Sequence, residues 1–233
     1  MSSIGLKIAA PEVLDIPIVE SGEKLVDMRQ NPFILTDNRY HVACLNTYSE
    51  EHGYVRETVA KMLEAAQLKM PNGWQLKLIE GFRSSRLQSL LFDTVFKYQA
   101  ESQPELTEDQ IFDRCLEMVS PIINADGSNN VPPHCTGAAV DIKVFDKNGI
   151  EVNLGQFPEE DLSLPPESFR TYSKTVPEEQ QFNRALLCEL MESVGFVNYP
   201  YEWWHFSYGD RYWAYSKQIP KALYSAQHER NEG

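Results

Sequence analysis

Two short segments of this 233-residue chain hold the side chains best suited to chemistry: His134-Cys-Thr-Gly-Ala-Ala-Val-Asp141 and Glu202-Trp-Trp-His205. Together they offer two imidazoles, one aspartate and one further carboxylate. A hydrolytic zinc site needs three protein ligands, an open position for water, and a base that is not itself a ligand. The two segments contain one residue for each of these roles.

The spacing sets conditions on the backbone that must carry them. His134 and Asp141 are seven positions apart, an odd interval that puts them on opposite faces of an unbroken strand. Gly137 between them can supply the required bend, because glycine tolerates a bulge or tight turn and lets chain approach chain. Glu202 and His205 meet the same parity problem on a strand. Their neighbours Tyr201, Trp203, Trp204, Phe206 and Tyr208 favour strand, and Pro200 prevents a helix from running through from upstream. The expectation is a strand end or bulge that turns both polar groups toward one cleft. Of the five histidines, His41, His52 and His228 have no adjoining ligand pattern and read as surface or capping residues.

Residues 54–68 space Val55, Val59, Met62, Leu63 and Ala66 as one face of an amphipathic helix. A Pro71-Asn72-Gly73 turn leads to an alternating strand over 74–80. Residues 84–99 read as helix, and Thr107-x-x-Gln110 has the form of a capping box opening another helix to about 119. After a loop over 124–133, residues 138–145 are apolar and β-branched enough for a strand. The Asp146-Lys-Asn-Gly149 turn then suggests a hairpin with 150–154. Thr175-x-x-Glu178 with Pro177 opens a helix whose face is Phe182, Leu186, Leu190 and Val194, ended by Gly195. Residues 196–208 are aromatic and strand-like. The Pro-rich, acidic stretch 155–174 is long for a loop and reads either as a lid over the cleft or as a solvated surface loop.

Separated helices and short turn-linked strands imply an α+β domain with helices packed on a central antiparallel sheet. No repeat or linker marks a boundary, so residues 1–233 read as one domain, with a core of about 25–213 and short extensions at both ends. A hydrophobic content of 42% is enough for a packed core. The net charge of −13 and sequence pI near 4.8 argue against nucleic acid or an anionic membrane as partner, since both reward clustered cations. No window approaches a membrane span and no secretory apolar run opens the chain. Four cysteines without a C-x-x-C pair suit reduced thiols, hence a cytoplasmic location.

The H-x6-D and E-x-x-H segments resemble those of the zinc D-alanyl-D-alanine dipeptidases and their relatives among the zinc DD-carboxypeptidases, peptidase family M15. Glu80-Gly-Phe-Arg83 is similar to that family's Gly-Tyr-Arg segment, and Asp27-Met-Arg and Asn31-Pro-Phe33 look like the amino-terminal part of the dipeptidase branch. The resemblance spans roughly residues 25–213. It implies a Hedgehog/DD-peptidase-like fold and one Zn2+ ion held by His134, Asp141 and His205. It further implies Glu202 as general base and acid, Arg83 as the group that stabilises the transition state, and a small D-amino-acid dipeptide as substrate. Two positions depart from the family pattern: Pro132 stands where a Ser is common two residues before the first histidine, and Ser84 where a Pro usually follows the Arg. Without the resemblance, Arg83 reads as the partner of Glu80 or Asp93 in a surface salt bridge.

Other functions fit parts of this inventory. A DD- or LD-carboxypeptidase acting on longer peptidoglycan peptides needs the same metal chemistry in a more open cleft. Two histidines and an aspartate also form the facial triad of non-haem Fe(II) oxygenases, which need no general-base glutamate. A non-catalytic zinc-binding protein has no use for an unliganded Glu202. Substrate identity and homo-oligomer formation stay open.

Overall fold

The structure, a computed structural model, describes residues 5–158 and 164–227. Its strands are β1 (Leu25–Asp27), β2 (Leu35–Thr36), β3 (Tyr40–Val42), β4 (Thr47–Ser49), β5 (Tyr54–Arg56), β6 (Gln75–Glu80), β7 (Ala139–Phe145), β8 (Val197–Asn198) and β9 (His205–Ser207). Its α-helices are α1 (Pro11–Leu14), α2 (Glu57–Gln67), α3 (Ser85–Ser102), α4 (Glu108–Cys115), α5 (Glu178–Glu192) and α6 (Arg211–Ser216). The central five-stranded sheet has the order β2-β6-β7-β9-β8. All its pairings are antiparallel except the parallel edge pair β2–β6, a small correction to the all-antiparallel expectation.

One face of this sheet is the main core. Leu76 and Leu78 of β6, Val140, Ile142 and Val144 of β7, and Phe206 of β9 pack there against Val59, Leu63 and Ala66 of α2 and Leu187 and Met191 of α5. Burying each such side chain contributes roughly 1.5–3 kcal/mol. Period-2 alternation then sends Asp141 and Lys143 of β7, and His205 and Ser207 of β9, to the other face.

The helix expected over 54–68 starts only at Glu57, because Tyr54, Val55 and Arg56 pair with Asp27, Val26 and Leu25. The α4 capping box forms as expected, with Thr107 and Gln110 bonding each other's backbone, but the helix ends at Cys115 rather than near 119. The partner of the β7 hairpin shrinks to one bridge, Phe145 with Glu151. Helix α5 begins after Pro177 without a side-chain cap from Thr175, and its inward residues are Asn183, Arg184, Leu187, Cys188 and Met191. Phe182 is left 68% exposed. The face is rotated about one residue from the apolar pattern because Arg184 is drawn inside. Its guanidinium donates to the carbonyls of Leu154, Ser168 and Arg170 at 2.6–2.9 Å. Those bonds tie both described ends of the 155–174 stretch to α5, and residues 159–163, at the centre of the suggested lid, lie outside the described residues, as does His228.

The end segments are held by Arg56, which is 1% exposed. It bonds Glu20 at 3.0 Å, the Ser225 carbonyl at 3.1 Å and the Thr136 carbonyl at 2.7 Å. His52 is buried, with ring nitrogens 2.9 Å from the carbonyls of Ser49 and Asp37, which corrects its reading as a surface residue.

Candidate metal and catalytic site

Asp141 of β7 lies directly opposite His205 of β9 and Glu80 of β6, so the three form one row across the sheet. Strict alternation would put Glu80 on the core face with Leu76 and Leu78. The register shift between Leu78 and Glu80 is a bulge that turns Glu80 to the face of Asp141.

His134 reaches the same row from a 3-10 turn, Pro133–Thr136, that ends at Gly137 with φ of +70°. Glycine is favoured there by the left-handed backbone, and an added Cβ would also press on Leu25 Cδ2 at 2.3 Å. The bend expected from spacing is therefore present. The turn is fixed by the Arg83 N–H donating to the His134 carbonyl (3.2 Å), the Arg56 N–H to Gly137 (2.8 Å) and the Gln227 N–H to Cys135 (2.8 Å). Glu202 and His205 sit not on one strand but on the turn joining β8 to β9, with Glu202 just before β9 and His205 its first residue. Asn198 braces this turn by donating to the Glu202 and His205 carbonyls at 3.2 and 3.0 Å.

His134 Nε2, Asp141 Oδ2 and His205 Nδ1 converge. His134 Nε2 is 3.3 Å from Asp141 Oδ2 and 3.2 Å from His205 Nδ1, which lies 3.2 Å from Asp141 Oδ1. All three residues are buried, and their donor atoms lie within 4.8 Å of one another. His134 Nδ1 faces the Gly81 carbonyl at 2.8 Å, so its proton belongs there and the Nε2 lone pair points into the cluster. Asp141 Oδ1 is buried with no hydrogen-bond partner among the described residues. Three such donor atoms turned toward one another fit a divalent cation. Two imidazole nitrogens and one carboxylate are ordinary zinc donors.

Charge in the metal-free cluster is strongly coupled. Burial works to raise the Asp141 carboxyl, but the two histidines outweigh it and hold it well below the usual carboxylate range. Burial alone would lower His134, yet the Asp141 charge lifts it above the ordinary histidine value. Burial pushes His205 down. A metal entering the site therefore displaces a proton carried mainly by His134. Zinc affinity is expected to rise with pH through the His134 titration and to weaken steadily below it. Chelator-competition titrations from pH 5 to 8 check this, and a flat profile would contradict it.

Glu202 stands beside the cluster, its Oε2 3.7 Å from His205 Nδ1. On the opposite side, Arg83 donates from Nε to Glu80 Oε1 at 2.9 Å and from Nη1 to Gln88 Oε1 at 3.0 Å, and its Nη2 bonds Glu80 Oε2. Arg83 is thus paired with Glu80, as its surface reading had it, but the pair is buried and Arg83 lines the same cavity as His134, Asp141, Glu202 and His205. Three of its five N–H groups are committed, which leaves two for a ligand. The cavity has a volume of about 90 Å³, with apolar walls from Leu91, Val95, Leu116 and Trp204. Pro132 lines it, while Ser84 serves as the N-cap of α3 by accepting from the Leu87 N–H.

The model of the peptidase M15 family, described as D-Ala-D-Ala dipeptidase, matches residues 36–225. The chain belongs to the D-Ala-D-Ala dipeptidase family. A D-alanyl-D-alanine dipeptidase of Synechocystis sp. is 29% identical over 221 residues, 87% of this chain and 88% of that protein. The Escherichia coli protein of the same name is 30% identical over 148 residues, 64% of this chain and 61% of its own length. Among solved structures, the LdcB LD-carboxypeptidase has a TM-score of 0.40 at 16% identity, covering 86% of this chain and 76% of that one. The zinc complex of the D,D-pentapeptidase VanY has a TM-score of 0.39 at 14% identity, covering 73% and 80%.

For this dipeptidase-family chain, motif reasoning missed the residues that hold the site in place. Gln88 and Asn198 carry no motif signal of their own, and the Glu80-Gly-Phe-Arg83 segment points to Arg83 without showing that the Gly81 carbonyl meets His134. Gly81 has no room for a side chain, since a Cβ would lie 2.4 Å from the Tyr54 carbonyl and 2.6 Å from Val55 Cγ1. Gly81→Ala is expected to cost about 1–3 kcal/mol of stability and to weaken zinc binding, because its carbonyl orients His134. Thermal unfolding with a zinc titration checks both, and unchanged zinc affinity would contradict the orienting role.

Proposed function

We propose that this peptidase hydrolyses D-alanyl-D-alanine or a similarly short D-residue dipeptide, with one zinc ion held by His134, Asp141 and His205. The observation that carries the reading is the convergence of three lone-pair donors beside a carboxylate, Glu202, that is not one of them. Bound there, zinc supplies Lewis acidity, lowering the pKa of a water and polarising the scissile carbonyl.

The protein's own groups do the rest. Glu202 takes the proton of the attacking water at its carboxylate and returns it to the amine nitrogen as the C–N bond breaks. Arg83, always protonated, directs its remaining N–H groups at the carbonyl oxygen as negative charge grows there. Glu80 and Gln88 hold that guanidinium still, so little reorganisation is needed during the reaction. The apolar walls keep bulk water away, which strengthens each of these charge interactions.

Cys44, Cys115, Cys135 and Cys188 form no disulfide, which supports a cytoplasmic setting, and no described helix is long and apolar enough to cross a membrane. The test is amine release by zinc-loaded protein from D-Ala-D-Ala, L-Ala-L-Ala and an acylated tripeptide ending in D-Ala-D-Ala. Cleavage of the free D-dipeptide alone supports the reading. Preferred cleavage of the acylated peptide points instead to a carboxypeptidase, and no cleavage with zinc bound sinks the proposal.

A further inference from the structure

Asp141 and His205 are held in place by the ladder that pairs β7 with β9. His134 is the one member of the trio carried off the sheet, so any freedom in its turn is freedom in the site. The carbonyls of that turn are bonded from outside it. His134 accepts the Arg83 N–H, Cys135 the Gln227 N–H, Gly137 the Arg56 N–H and Ala138 the Tyr208 N–H, at 2.8–3.2 Å. Thr136 accepts from Arg56 Nε at 2.7 Å. Three consecutive carbonyls, 135–137, therefore depend on Arg56 and Gln227.

Arg56 also ties the last described residues to this turn. Its Nη1 and Nη2 meet Glu20 Oε1 and Oε2 at 3.0 and 3.2 Å; Nη1 also donates to the Glu23 carbonyl, and Nη2 to the Ser225 carbonyl at 3.1 Å. With Nε on Thr136, all the guanidinium N–H groups are committed, so Arg56, unlike Arg83, has none to offer a substrate. Its Cζ lies 4.6 Å from the centre of the Tyr224 ring. Glu20 Oε2 accepts both the Ser225 N–H and the Ser225 hydroxyl at 2.7 Å. Residues 224–227 are thus docked along Arg56 and end on the Cys135 carbonyl.

We propose that Arg56 and the docked segment 224–227 are positioning elements of the metal centre: they hold the turn that presents His134, so that docking of the segment and binding of zinc are coupled. The metal half of this statement rests on the function proposed above; the hold on the turn stands on the metal-free protein. Such coupling is reciprocal. If the docked segment raises zinc affinity by some factor, zinc strengthens docking by the same factor.

Gln227→Pro removes the N–H that Cys135 accepts, and Gln227→Ala keeps it. Zinc affinity by chelator competition should fall about 2–10-fold in Gln227→Pro, the effect of one hydrogen bond on an equilibrium, and stay at the wild-type value in Gln227→Ala. Arg56→Lys keeps the charge but cannot span the same carbonyls, and should lose more. In the metal-free protein, amide exchange at Cys135 and Gly137, whose N–H groups close the turn on Pro132 and His134, should quicken in both weakened variants. Zinc should slow exchange of the wild-type Gln227 amide by a factor similar to the affinity lost in Gln227→Pro. Ile111→Ala, in the buried cluster between α3 and α4, is the control: it lowers stability without touching the turn and should bind zinc as the wild type does. With zinc bound by the wild type, unchanged affinity in both Gln227→Pro and Arg56→Lys, or an equal loss in Ile111→Ala, overturns the proposal. Faster exchange in the turn of a protein that binds no zinc supports the hold on the turn and sinks the metal reading instead.

Discussion

Glu202→Gln is expected to lower kcat on D-Ala-D-Ala by about 10²–10⁴, the usual contribution of a positioned general acid–base, while the protein still binds one zinc ion. The substitution keeps the size of the side chain and removes its ability to take a proton. Glu202 lies outside the converging trio, its Oε2 3.7 Å from His205 Nδ1, so the three donors are untouched. The backbone of the turn is also unchanged, since Asn198 braces it through the main-chain carbonyls of Glu202 and His205. Zinc stoichiometry and affinity are measured beside the rate. A variant that loses zinc in proportion to activity would make Glu202 a ligand and not the proton carrier.

Arg83→Lys is expected to cost about 10²–10³ in kcat, comparable to removing one oxyanion donor, with folding retained. Lysine keeps the positive charge opposite Glu80 but cannot reproduce the fork that spans both Glu80 oxygens and Gln88 while offering further N–H groups to the cavity. Arg83→Ala goes further. Glu80, 2% exposed, is then left as an uncompensated buried charge, and breaking such a pair costs about 3–5 kcal/mol. Adding Glu80→Gln to Arg83→Ala removes the stranded charge, so the melting temperature should recover while turnover does not. Recovery of turnover in the double variant would reduce Arg83 to a structural partner of Glu80.

The chemistry of the site was more legible in the sequence than its support. Odd spacing between His134 and Asp141 required a bend, Gly137 was the residue able to make it, and the structure has a left-handed glycine there. Pro200 and the aromatic run placed Glu202 and His205 at a strand end, although not on a continuous strand over 196–208. What did not show is the set of contacts made across the fold. Glu80 alternates with Leu76 and Leu78 in the sequence, and only the bulge before it turns it toward Asp141. Arg184 lies off the face expected through Phe182, Leu186, Leu190 and Val194, and no local pattern records that three carbonyls from residues 154–170 converge on it. Tyr54, Val55 and Arg56 share the helical periodicity of residues 57–67, yet they pair with β1, since long-range strand pairing overrides local preference. Burial of His52 likewise depends on carbonyls supplied by Ser49 and Asp37.

The central claim is that His134, Asp141 and His205 hold a single zinc ion and Glu202 does not ligate it. Crystals of the zinc-loaded protein, with diffraction recorded on both sides of the zinc absorption edge, test it most directly. One anomalous peak within bonding distance of His134 Nε2, His205 Nδ1 and an Asp141 oxygen, with the Glu202 carboxylate beyond it, is the predicted result. A peak elsewhere, or one that takes Glu202 as a ligand in place of any of the three, would contradict the account.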